Sequence, residues 1–199
     1  MSLRLLRPAL GLAAALVPSV AFAHPGHADA VGFVSGFGHP VGGLDHVLAM
    51  VLVGVFAFQL GGRALWLVPA AFVAVMAAGG ALGMAGVEVP FVEAGIAISI
   101  IALGAAVAFG VRAPAAVAMA MVGLFAIFHG HAHSAEAPET AAGAAYAAGF
   151  MLATALLHAA GVGFGFLIGK VSETRGPIVT RVAGAAAGLA GVAILVGAL

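Results

Sequence analysis

The stretch HPVGGLDHVLAMVLVGVFAFQL, residues 39–60, sets two histidines and an aspartate against a run in which Gln59 is the only later polar side chain. Similar apolar runs recur through the chain. Of its 199 residues, 64% are hydrophobic and 7% charged, and the mean hydropathy is +1.22. A water-soluble domain needs roughly a quarter charged residues to cover its surface, so lipid must be the solvent here. Formal net charge is zero with the histidines neutral. Without a basic stripe, no nucleic-acid partner is expected. Cysteine is absent, which removes disulfides and thiolate metal sites and leaves nitrogen and oxygen donors for any metal, with methionine sulfur a minor option.

The first 23 residues resemble a secretory signal. Arg4 and Arg7 precede the apolar Ala9 to Val17, Pro18 breaks the helix, and Ala21 to Ala23 give a small-x-small cleavage pattern. An apolar core of nine residues falls short of the ~20 needed to span a bilayer. Residues 24–199 then read as one domain with spans near Gly42 to Leu60, Ala64 to Met84, Pro90 to Gly110, Pro114 to Phe128, Ala142 to Gly169 and Pro177 to Leu199. The fold class is therefore all-α: a polytopic membrane bundle of six transmembrane helices after a cleaved signal peptide. Val31 to Gly38 is too short to cross and is expected at the interface or re-entrant. With the mature N-terminus outside, Arg63, Arg112, Lys170, Arg175 and Arg181 all fall on the cytoplasmic side, as the positive-inside rule requires. Asp29, Glu88, Glu136 and Glu139 fall outside. This predicts a bacterial inner (plasma) membrane protein with both mature termini periplasmic.

Repeats of glycine at Gly161, Gly165 and Gly169, and at Gly184 and Gly188, make smooth ridges for close helix packing. Against that background stand Asp45, His46, Glu93, His129 and His158. An ionisable side chain in hydrocarbon costs several kcal/mol unless paired or solvated, so each marks a functional position. Asp45 and His46 open the first span, Glu93 lies within about two turns of the outer end of the third, and His129 closes the fourth, so three helices offer polar groups at one outer depth. His158 lies about 22 Å along the fifth span, with Thr154 one turn before it, as a second stage of a path or a hydrogen-bonded packing residue.

The paired glycines 42 and 43 predict a bend that folds His39 back over Asp45 and His46. In FHGHAHS, residues 128–134, His129 and His133 are four apart and would share a face if the helix continues through Gly130, while His131 would point elsewhere. His131 and His133 are read either as ligands or as a solvated tract. Glu93 is read either as a ligand or as the partner of a histidine N–H. His24 and His27 would take part only if the mature terminus folds back. Imidazoles with nearby carboxylates suit nickel, cobalt, zinc and copper.

The chain resembles the HupE/UreJ family of hydrogenase and urease accessory membrane proteins. The resemblance rests on HPVGGLDHVLAM (39–50), FHGHAH (128–133), LLHAAG (156–161) and the signal-plus-six-helix layout, and it covers essentially the whole mature chain. It departs at Ser134, where glycine is expected. It implies a nickel or cobalt permease, not an enzyme, with His39, Asp45, His46, His129 and His133 as motif positions, a divalent metal ion as cargo and the lipid bilayer as surroundings. No organic cofactor is expected, and metalloenzyme maturation proteins are implied downstream. Two other classes fit the residue types. A membrane-embedded zinc hydrolase would use histidines, an aspartate and a serine such as Ser99. A bis-histidine haem protein would need two imidazoles facing each other across the core.

Overall fold

The computed structural model describes residues 28–134, 141–171 and 175–199. These form seven α-helices, with no strand among the described residues: α1 (Ala28–Gly42), α2 (Leu44–Leu60), α3 (Ala64–Met84), α4 (Val92–Ala108), α5 (Ala115–Ser134), α6 (Ala141–Val171) and α7 (Gly176–Leu195). The expected signal sequence, His24, His27, Glu136 and Glu139 lie outside the described residues.

Four helices are long and apolar enough to cross a membrane: Ala64–Met84, Ala115–Ser134, Ala142–Lys170 and Gly176–Leu195. The segments Gly32–Gly42 and Leu44–Leu60 pass the same test only as a pair, bent by 81°. The structure thus supports four spans, or five with the bent pair, where the sequence predicts six. The shortfall is α4, whose 17 residues rise about 26 Å, less than the ~30 Å of a hydrocarbon core. Large apolar side chains face outward all round the bundle, among them Leu189 (71% exposed), Trp66 (77%) and Phe109 (80%). Water would penalise such a surface and lipid would not. The chain is a multi-pass membrane protein.

Between helices bathed in lipid, association depends on close van der Waals packing more than on burial from water. Helix α2 occupies the middle and touches all six other helices, while α1 lies along α6, α3 along α5 and α4 along α7. The α2–α6 crossing is made at Gly54 and Gly161, where an added Cβ would collide with the backbone of His158 or Val51. The Val31 to Gly38 stretch belongs to α1 and lies on α6; a Cβ at Gly32 would come 2.6 Å from the Ala142 carbonyl oxygen. Pro177 takes a first-turn position in α7, as expected from its missing N–H.

Two boundaries differ from the sequence reading, and both shape the site. The first long span is preceded by a separate helix, and Gly43, with extended backbone (φ −97°, ψ 123°), makes the predicted break. The fourth span does not end at Phe128. Helix α5 continues to Ser134, because Gly130 is where α5 meets the Met76 carbonyl of α3, and a side chain there would clash. Tertiary contact thereby outweighs the weak helix propensity of glycine.

Candidate metal-binding site

Four histidines meet at one end of the bundle. The bend at Gly43 turns α1 so that the His39 ring lies 6.1 Å from the His46 ring and 4.4 Å from the His133 ring, centre to centre. Unbroken helix through Gly130 keeps His129 and His133 on one face of α5, with His46 5.2 Å from the first and 4.6 Å from the second. His46, His129 and His133 are buried and His39 is half-buried. Helix α6 closes the cluster with Phe150, 4.3 Å from the His133 ring, and Tyr146, 6.5 Å from the His39 ring.

Hydrogen bonds assign a role to each ring nitrogen. Asp45 Oδ1 is 2.9 Å from His46 Nδ1. A carboxylate only accepts, so His46 donates through Nδ1–H and its Nε2 carries the lone pair. That lone pair faces His133 Nε2 at 2.7 Å, so His133 donates from Nε2. Asp45 therefore stands behind His46 and orients it, an arrangement recurrent around metal-ligating histidines. Ser99 does the same for His129. Its hydroxyl donates to the Ile96 carbonyl at 2.6 Å, leaving its oxygen to accept His129 Nε2–H at 3.1 Å. His129 Nδ1 then holds a lone pair, and it is buried with no hydrogen-bond partner. A buried unpaired acceptor costs about 1–3 kcal/mol unless something else binds it.

The remaining sequence candidates separate. Glu93 is exposed in the first turn of α4 and takes no part in the ring contacts; its position at the helix start places the carboxylate at the rim. His131 turns away, as expected, and bonds the Val87 carbonyl at 2.8 Å through Nε2. His158 is deeper, 1% exposed, and neither ring nitrogen has a hydrogen-bond partner. The ring of Phe72 separates it from the cluster, 5.5 Å from the His129 ring and 5.1 Å from the His158 ring. Beside this ring Thr154 donates to Met76 Sδ at 3.8 Å. Phe72, Met76, Tyr146 and Phe150 escape the sequence reading because apolar residues carry no signal among so many others; only Tyr146, the sole tyrosine, is unusual enough to attract notice.

Among the described residues no group of three or more His, Asp or Glu side chains stands ready to hold a metal ion. Rings meet edge to face, and the facing nitrogens of His46 and His133 are engaged with each other. A small cavity of about 100 Å³ adjoins His133, beside Met76 and Tyr146, far too small for a porphyrin. Ser99, which the zinc-hydrolase reading would place among the zinc-holding residues, bonds the Ile96 carbonyl and His129.

The profile of the HupE / UreJ protein family matches residues 12–194. The chain belongs to the HupE/UreJ family. It is 51% identical over 188 residues to Protein HupE of Rhizobium leguminosarum bv. viciae, covering 94% of this chain and 95% of that one. No solved structure matches it. The HupE/UreJ match takes in α1 to α6 whole and α7 to its penultimate residue, so the histidine cluster and His158 both lie within it.

Proposed function

We propose that this chain is a permease for a divalent transition metal, nickel or cobalt, taken up from the periplasm to supply nickel enzymes such as hydrogenase or urease. The observation that carries the reading is the convergence of His39, His46, His129 and His133 from three helices, with His46, His129 and His133 buried and His39 half-buried. Four imidazoles have little reason to crowd into a low-dielectric space unless a cation joins them. The ion would replace the hydrogen bond between His46 Nε2 and His133 Nε2 and would meet the unpartnered Nδ1 of His129. A site completed by modest ring rotation, not closed in advance, suits a cargo that must leave again.

In this reading Asp45 holds His46, Ser99 holds His129, and Glu93 at the rim draws cations toward the mouth. Beyond Phe72, His158 receives the ion on its way inward. Membrane potential favours that movement by about 4.6 kcal/mol for a double charge at 100 mV. The reading includes six spans after a cleaved signal, α4 being the short one, with the histidine end and both mature termini periplasmic. In support, Arg63, Arg112, Lys170 and Arg175 sit at or just beyond the helix ends opposite the cluster, and Arg181 lies in the second turn of α7. The test is uptake of radiolabelled nickel and cobalt into proteoliposomes. Wild type should accumulate metal and His46→Ala should not. Normal uptake by His46→Ala would refute the site.

A further inference from the structure

The end of the bundle opposite the histidines holds a cleft of about 470 Å³ between the ends of α2, α4 and α6 and the start of α7. Arg112 and Arg181 both line it, both are exposed, and neither makes an ion pair with a described residue. The other polar groups of the cleft are already committed. Gln59 donates to the carbonyls of Ala106 and Val111, and Thr180 donates to that of Gly176. The two guanidiniums are thus the donors left over, five N–H groups each.

The Arg181 guanidinium lies over Gly110. Gly110 follows α4 with φ +64°, and an added Cβ there would sit 2.8 Å from a terminal guanidinium nitrogen of Arg181. The absent side chain leaves the space the guanidinium fills. Five basic residues, Arg63, Arg112, Lys170, Arg175 and Arg181, lie at this end, with no acidic residue beside them among the described residues. Below the arginines the wall turns apolar, with Phe58, Gly165 and Pro177. Cationic forks above an apolar wall, at the level where helices leave hydrocarbon, match a molecule with an anionic head and an acyl tail.

We infer that this cleft binds the phosphate headgroup of an anionic phospholipid, through Arg112 and Arg181. The site is independent of the metal pathway and would exist whatever the histidines bind. Two guanidiniums grip phosphate as planar forks, and a free phosphate ion would satisfy the same donors but leave the apolar wall uncovered.

Purified full-length protein in detergent can be titrated with phosphatidylglycerol, phosphatidylcholine or inorganic phosphate, reading bound lipid by native mass spectrometry and Tm in parallel. Phosphatidylglycerol should be retained and raise Tm, with an affinity that falls as salt rises. Each arginine contributes about fivefold near a membrane surface, so Arg112→Ala/Arg181→Ala should bind about thirtyfold more weakly. Arg112→Lys/Arg181→Lys keeps the charge and loses the fork, and should fall between the two; it also serves if the alanine pair fails to fold. Arg63→Ala, at the same end but outside the cleft, should change far less. Equal affinity for phosphatidylcholine, an unchanged affinity in both double variants, or full protection by inorganic phosphate alone would overturn the assignment.

Discussion

His129 and His158 are both buried imidazoles, set on either side of the Phe72 ring at nearly equal distances, yet their surroundings differ in kind. His129 is held by Ser99 through one nitrogen and lies against His46 through its ring. His158 has Phe72 against it and no hydrogen-bond partner for either nitrogen. A histidine fixed on one side presents a defined lone pair on the other. A histidine fixed on neither side is free to choose its tautomer. The first is what a binding position needs, and the second suits a residue visited in passing.

This contrast can be broken from the binding side first. His46 touches the rings of His39, His129 and His133, so His46→Ala should weaken nickel binding by more than about a hundredfold, beyond the 10–100-fold typical of losing an outer partner. Equilibrium dialysis of the purified protein measures it. Protonation attacks the same nitrogens. A ligating imidazole must be neutral, so protons compete with the metal for the same nitrogens and affinity should fall as the pH is lowered. The sign is fixed: uptake falls as pH falls. Binding that strengthens on acidification would exclude imidazole ligands.

Ser99→Ala sharpens the comparison. It removes the acceptor that fixes His129 Nε2–H and should lower affinity by about tenfold. Nitrogen NMR of the metal-free protein should show His129 moving from the Nε2–H form to a mixture, and an unchanged tautomer would remove Ser99 from its role. His158→Ala should leave equilibrium affinity unaltered while slowing flux. Loss of affinity there would place the deeper histidine within the binding site itself. The smallest effect is expected for His131→Ala, which gives up one bond to Val87, worth about 0.5–1.5 kcal/mol. Flux should persist, with a slightly lower Tm as the only change.

Polar residues were legible in the sequence because hydrocarbon makes them expensive. His39, His46, His129 and His133 stand out for that reason, and the glycine pair at 42 and 43 announces the bend that brings His39 to the others. The exposure of Glu93 was not legible, since helical rise gives depth along a span and not the direction a side chain faces. Continuation of α5 through Gly130 was hidden because it depends on the backbone of Met76, distant in sequence. Phe72 and Phe150 are chemically indistinct from their neighbours, and only the fold shows that one stands between histidines and the other walls them in. The count of six spans turns on α4, where the helix runs from Val92 to Ala108 and is shorter than the apolar stretch the sequence offers.

Everything turns on whether one cation joins imidazoles from α1, α2 and α5. X-ray absorption on the nickel-loaded, purified chain reads that directly. The spectrum should carry the multiple-scattering signature of several imidazole ligands, and the signature should collapse in His46→Ala. Nickel bound at full occupancy in an all-oxygen environment, or an identical spectrum from His46→Ala, would contradict it.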